Sequence, residues 1–424
     1  EGPVHLSLHL ARLEEAFARI GCPICTLRLG HERDWLEIFM YDHSGDPGIA
    51  RMLSKSRGFC HRHAWAIARN DERKGPLVLA LIYERLVRRL LAPLRGASRL
   101  MRQRGARAKR HDLWTVAPGH RCPACLAVAR TDGIYARVFG RSLATDAFLA
   151  RYARSEGLCL AHLKQVLAVL PAPACAGLLP AHITKLEAAM KALAPGARAG
   201  PLRQREVQLG LSLLVGADPN SLHAGDRRPV SAMGWCRVCA VEQDAEARSV
   251  AAAAGGRGAW LCARHAWQAF RLACRNHSGS DFEGWLREGL EAAAGECAAR
   301  MARSMSAGAG RPERDEVAQA DGSGLGVRGC VVCSAVDGAA REHVTAASDA
   351  LPVGSVCLRH LATYPPATRV ATDQHAQAVT ARLHELAADL DEFIRKSSWQ
   401  CRHEPKGPEQ DSWRRAISLF VGDA

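Results

Sequence analysis

The sequence predicts a mostly α-helical chain built from two tandem-duplicated halves, each carrying two treble-clef-like Cys3His metal sites. Three observations carry that expectation. A C-x-x-C pair followed by a C-x-x-H pair recurs four times, apolar residues recur at helical spacing, and a short S-L-x-V-G segment closes each half. Alanine, leucine and arginine dominate and only 5% of residues are aromatic, a composition that favours helices over sheets.

The cysteine pattern sets the chemistry. Cys22 and Cys25 precede Cys60 and His63; Cys122 and Cys125 precede Cys159 and His162; Cys236 and Cys239 precede Cys262 and His265; Cys330 and Cys333 precede Cys357 and His360. The spacers hold 34, 33, 22 and 23 residues. Chance at this composition gives roughly 0.6 C-x-x-C and 0.7 C-x-x-H pairs, whereas four and five are present. Each C-x-x-C is expected to share an ion with the C-x-x-H that follows it. A tight knuckle, stiffened by Pro23 or Pro123 in the first two units, aims two sulfurs at the ion. Cys and His three apart on the first turn of a helix face it from the other side. The positive end of that helix favours the thiolate. Three thiolates and an imidazole complete a closed tetrahedral set, so four structural zinc ions are expected. The alternative is an electron-transfer protein with up to four Cys3His-ligated iron–sulfur clusters, although pairs separated by long spacers fit zinc better than the tighter runs of ferredoxins. Unliganded buried thiols are the remaining reading. Disulfides are disfavoured in a long chain without a visible export signal.

The elements follow in order. Leu6, Leu10, Leu13, Phe17 and Ile20 form one stripe and predict a helix before the first cysteine pair. His31, Asp34, Asp42 and His43 lie in the first spacer and read as a solvated helix face rather than a catalytic cluster. Ile183, Leu186, Met190 and Leu193 predict a helix after the second unit, and Val379, Leu383, Leu386, Leu390 and Phe393 predict its counterpart after the fourth. Ser212 to Gly216 and Ser418 to Gly422 repeat the closing segment, which places the halves at 1–218 and 219–424. Ser304 to Gly329 reads as a flexible linker, with shorter connectors at Pro195 to Pro201 and Ala217 to Pro229.

The C-P-x-C pairs, the Gly58–His63 segment and the terminal Ser412–Ile417 and Val421–Gly422 segments resemble an uncharacterised bacterial family of cysteine-rich proteins of unknown function. The resemblance covers both halves and is closest at the first unit and the last dozen residues. The third and fourth units depart from it by lacking the knuckle proline and by their shorter spacers. It implies no activity.

A net charge of +14 is concentrated between Arg85 and Arg110, where ten Lys or Arg residues occur without an acid. That stretch offers phosphate contact to a nucleic acid or another polyanion, but no interleaved aromatics for base stacking. An arginine-rich solvated helix is the favoured reading of it. Cys175, Cys274, Cys297 and Cys401 fall outside the four units; Cys274 with His277 makes a fifth C-x-x-H that lacks a second pair. His5 and His9 share a helix face without the Glu of a catalytic zinc helix. No phosphate-binding glycine loop or nucleophile elbow is present. The apolar run from Val166 to Ile183 is broken by Pro171, Pro173 and Pro180, so no membrane span is expected. The sequence thus favours a cytoplasmic zinc-bound scaffold or adaptor that binds a protein partner.

Overall fold

A computed structural model describes residues 3–43, 45–70, 75–103, 121–170, 172–194, 204–219, 236–255, 260–276, 279–306, 329–346, 353–364 and 369–423. All regular structure among them is helical, as the composition predicts. The first half contributes α1 (Pro3–Ala16), α2 (Pro23–Ile38), α3 (Pro47–Ser56), α4 (His61–Asn70), α5 (Gly75–Gln103), α6 (Pro123–Ser142), α7 (Asp146–Arg154), α8 (Leu160–Val169), α9 (Ala172–Ala192) and α10 (Gln204–Val215). The second contributes α11 (Arg237–Ala254), α12 (Ala263–Asn276), α13 (Gly279–Ser306), α14 (Val331–Ala346), α15 (Leu358–Thr363), α16 (Arg369–Lys396) and α17 (Ser412–Val421). None is long and apolar enough to cross a membrane among the described residues.

Eight of these helices begin at the residue immediately after a cysteine. Cys22, Cys60, Cys122, Cys159, Cys236, Cys262, Cys330 and Cys357 each accept the first intrahelical hydrogen bond, from the backbone N–H four residues on, at 2.8–3.1 Å. Both ligand pairs of every unit therefore occupy helix N-termini, with the cysteine at the cap and the second ligand on the first turn. The C-x-x-C pairs open helices, where a tight knuckle turn was expected. Pro23 and Pro123 stand at the first helical position, where a missing N–H costs nothing.

The first helix stops earlier than its stripe suggests. Phe17 closes a turn onto Leu13 and Glu14, and Ile20 is 71% exposed. Gly21 then takes φ +90°, a turn that sets up Cys22. At α3 the cap is conventional: the Asp46 carboxylate accepts from Gly48 and Ile49, Pro47 follows, and Arg57 ends the helix in the left-handed region.

The chain condenses into two compact units, and these do not follow the halves 1–218 and 219–424. One unit comprises Glu1–Arg33, Val128–Leu222 and Ala245–Ala335; the other comprises Asp34–Ala127, His223–Asp244 and Val336–Ala424. Each draws on both halves. In the first unit, α9 packs along α13, with α10 against both and α12 against α13. Gly210 and Gly289 let α10 and α13 approach closely: a Cβ on either would stand within 2.9 Å of Leu286 or Leu214. Leu186, Leu211, Leu286 and Leu290 are fully buried, and Phe17, Phe139, Phe148 and Tyr152 form an aromatic cluster with centroids 5.2–6.3 Å apart. In the second unit, α5 packs along α16, with α17 against both and against α4. Leu79, Tyr83, Val87, Leu383, Leu390 and Ile417 share its core. The stripe from Val379 to Phe393 is buried throughout, as its spacing predicts. Both long helix pairs thus join one helix from each half. Fully burying one such leucine contributes about 1.5–3 kcal/mol.

The linker expected at Ser304 to Gly329 lies outside the described residues at 307–328, as do most of the connectors at Pro195 to Pro201 and Ala217 to Pro229.

Candidate metal centres

All sixteen expected ligands come together, but in different quartets from those expected. Cys22 and Cys25 meet Cys159 and His162 (site 1); Cys60 and His63 meet Cys122 and Cys125 (site 2); Cys236 and Cys239 meet Cys357 and His360 (site 3); Cys262 and His265 meet Cys330 and Cys333 (site 4). The ligand atoms of each group lie within 4.8 Å of one another. The expectation that each C-x-x-C pairs with the next C-x-x-H is therefore corrected: within each half the pairs nest, outer with outer and inner with inner. Sites 1 and 4 belong to the first compact unit and sites 2 and 3 to the second, so every site is complete within one unit.

The geometry is the same four times over. The Nδ1 atom of each histidine faces all three sulfurs, at 3.2–3.4 Å in site 1, 3.2–3.5 Å in site 2, 3.3–3.6 Å in site 3 and 3.2–3.5 Å in site 4. One sulfur pair in each site spans 3.7, 3.7, 3.9 and 4.0 Å. A tetrahedral ion with bonds of about 2.3 Å to sulfur and 2.0–2.1 Å to nitrogen places its ligands about 3.8 Å (S to S) and about 3.5 Å (S to N) apart. The donor sets fit one such ion each. None of these cysteines forms a disulfide.

Residues 6–191 match the model of a family of unknown function, DUF6062. That span holds all eight ligands of sites 1 and 2, and the expected resemblance at the first unit falls within it. The second half lies outside the match. No curated protein and no solved structure matches the chain.

The electrostatics suit a cation in sites 1 and 2 of the DUF6062 match and equally in sites 3 and 4. Three thiols this close cannot all ionise unaided. Hydrogen bonds from neighbouring thiols hold Cys25, Cys60, Cys236 and Cys330 well below the usual thiol range. The same bonds, with repulsion from the ionised sulfurs, drive Cys125, Cys159, Cys262 and Cys357 well above it. A divalent cation removes that conflict, and two helix N-termini aimed at each site add favourable potential for the thiolates.

Sequence reasoning missed the carboxylates behind the imidazoles. His162 Nε2 lies 3.4 Å from Asp132, His265 Nε2 lies 3.2 Å from Glu246, and His360 Nε2 lies 3.0 Å from Glu242. An arginine backs each carboxylate: Arg28 for Asp132, Arg264 for Glu246 and Arg359 for Glu242. Burial opposes the charge on Glu246, yet the His265 ring and Arg264 hold its carboxyl down at about 2. Such partners fix the ring and leave Nδ1 for the metal. A signal was available for Glu242 alone, which stands one turn after Cys239 of the same site on its helix.

The S-L-x-V-G segments are the second feature whose role the sequence left open. Gly216, outside the DUF6062 match, takes φ +89° beside Cys25 and Cys159, and Gly422 takes φ +90° beside Cys239. The Gly216 carbonyl accepts from Trp267 Nε1 at 2.9 Å, and the Gly422 carbonyl accepts from Trp65 Nε1 at 3.1 Å.

Among the described residues, the remaining candidates join none of the quartets. Cys175 and Cys297 are buried and Cys274 and Cys401 are partly buried, all as free thiols. His9 packs edge-on against Tyr135; the side chain of His5 lies outside the described residues, as does His277. His31, Asp34 and Asp42 are exposed on α2 and the π-helical turn that extends it, and the side chain of His43 lies outside the described residues. Within the basic stretch, Arg88 pairs with Glu84 and with Asp391 at 2.7 Å, and Arg89 contacts Ser54. Side chains from 92 to 120 lie outside the described residues. A cleft of ≈ 300 Å³ beside Arg382 and Arg415 has both guanidinium groups engaged by the chain itself, on the Gly354 carbonyl and the Asp389 carboxylate.

Proposed function

We propose that the chain is a non-catalytic zinc-bound scaffold, with one structural zinc ion in each of the four sites. The observation that carries this reading is the closed donor set: three sulfurs and one imidazole nitrogen converge on one point in each quartet and leave no position for water or substrate. Convergence on one ion also favours zinc over a cluster, whose ligands bind different iron atoms and spread farther apart. The halves 1–218 and 219–424 are proposed to derive from a tandem duplication. The helical surfaces that the ions brace are proposed to serve a protein partner. A cytoplasmic location suits thiolates that must stay reduced.

Elemental analysis of anaerobically purified protein tests the reading. It predicts a colourless sample with about four zinc ions per chain. A brown sample with iron and sulfide would replace it with the electron-transfer reading.

A further inference from the structure

We infer that the S-L-x-V-G segments are latches that make the two metal sites of each compact unit fill cooperatively. The inference rests on the sites binding metal as proposed above, and it assigns a role to residues outside every quartet.

Each latch packs on ligand sulfurs of one site and hydrogen-bonds the helix that carries two ligands of the other. In the first unit, the N–H of Cys22 donates to Ser212 Oγ at 3.1 Å, and Gly216 donates to the Ser212 carbonyl at 3.1 Å, which closes the end of α10 against site 1. A Cβ on Gly216 would stand 3.1 Å from Cys25 Sγ and 3.4 Å from Cys159 Sγ, so the backbone lies directly on two ligands. The carbonyl of the same residue accepts from Trp267, two residues beyond His265 of site 4 on the first turns of α12. One turn later Arg271 pairs with Asp218, just past the latch.

The second unit repeats the device with the halves exchanged. Gly422 donates to the Ser418 carbonyl at 3.0 Å, and a Cβ on it would stand 2.9 Å from Cys239 Sγ of site 3. Its carbonyl accepts from Trp65, two residues beyond His63 of site 2 on α4. His61 Nε2 donates to the Asp423 carbonyl at 2.7 Å. The same bond, from the tryptophan of a C-x-R-H-A-W segment to the glycine of an S-L-x-V-G segment, thus occurs once in each unit.

The coupling follows from ordering. An ion in site 1 fixes Cys25 and Cys159, which gives Gly216 a surface to pack on and fixes the direction of its carbonyl. That carbonyl holds Trp267, and with it the turn of α12 that presents Cys262 and His265. The second ion then binds a turn already ordered by the first, and by reciprocity the first binds more tightly once the second is in place. One buried hydrogen bond of ordinary strength corresponds to a coupling of roughly 3–10-fold in affinity.

The test titrates the metal-free full chain with Co²⁺ without oxygen, reading the thiolate charge-transfer and tetrahedral ligand-field bands, against a competing chelator. Trp267→Phe keeps an aromatic ring and removes the donor. It is expected to weaken two ions by roughly 3–10-fold and leave the other two unchanged, and Trp65→Phe is expected to do the same to the opposite pair. Weakening of one ion or of none in both variants would overturn the latch and leave the four-zinc reading intact. Failure of the unsubstituted chain to take up metal would overturn both. Should one variant not regain native ellipticity at saturating metal, the other decides, because it acts in the other unit.

Discussion

At Gly422 the backbone takes φ +90° with Cys239 Sγ 2.9 Å from where a Cβ would stand. Alanine there must strain the backbone by about 1–2 kcal/mol and also displace a ligand sulfur. Gly422→Ala is therefore expected to lower the melting temperature and to weaken metal binding at site 3, read by calorimetry and zinc content together; an unchanged melt and four tightly held ions would contradict the site's geometry. The carboxylates behind the imidazoles act more gently. Glu242→Gln keeps the size of the side chain and an acceptor for His360 Nε2 but removes the charge that Arg359 and His360 share. Zinc affinity at site 3 should fall about 10–100-fold, measured by chelator competition, with the helical content unchanged at saturating zinc. These residue roles were only half legible. The ligand types announced themselves by spacing, whereas Glu242 and Glu246 looked like ordinary helix surface until the imidazoles were placed beside them.

Helix N-termini carry the ligands, and this explains what the pattern revealed and what it concealed. A cysteine cap with a second ligand three residues on is a local feature, so all sixteen ligands could be read from the chain. Pairing is a long-range property. Cys25 closes to Cys159 across 134 positions in place of the 35 that separate it from Cys60. The extra loop-closure cost is only about 1 kcal/mol, too little to enforce pairing with the nearest partner. A subtler signal did exist: Cys60 and Cys262 open C-x-R-H-A-W, whereas Cys159 and Cys357 open C-L-x-H-L, which sorts the C-x-x-H pairs into inner and outer types. Ile20 misled for a local reason, because α1 ends at Ala16 and the stripe runs past it. The inner and outer sites also differ in cover. All ligands of sites 1 and 3 are buried, whereas Cys60, Cys125, Cys262 and Cys330 are partly exposed and Cys333 is exposed. Zinc release to a chromogenic chelator should accordingly have two phases of about two ions each, the faster from sites 2 and 4; a single phase would contradict that difference.

Each compact unit joins helices from both halves around two metal sites, so neither half is a self-contained body. Helical content and the recurrence of the ligand motif were legible in the sequence, because periodicity and motif spacing report them directly. The exchange between halves was not, because α9 with α13 and α5 with α16 carry similar apolar stripes that suit several partners. If the sites hold structural zinc as proposed, each contributes about 10–16 kcal/mol of apparent binding energy, comparable with the whole stability of an ordinary domain of about 5–15 kcal/mol. Prolonged chelation should thus abolish the cooperative melt and much of the helical circular dichroism, and returning zinc should restore both. The nested pairing is tested most directly by counting zinc in two double variants of the full chain. Cys25→Ser with Cys159→Ser removes ligands from one site and should leave about three ions, whereas Cys25→Ser with Cys60→Ser removes ligands from two sites and should leave about two. The reverse order, about two and about three, would show that each pair binds with its neighbour in sequence and would contradict the account.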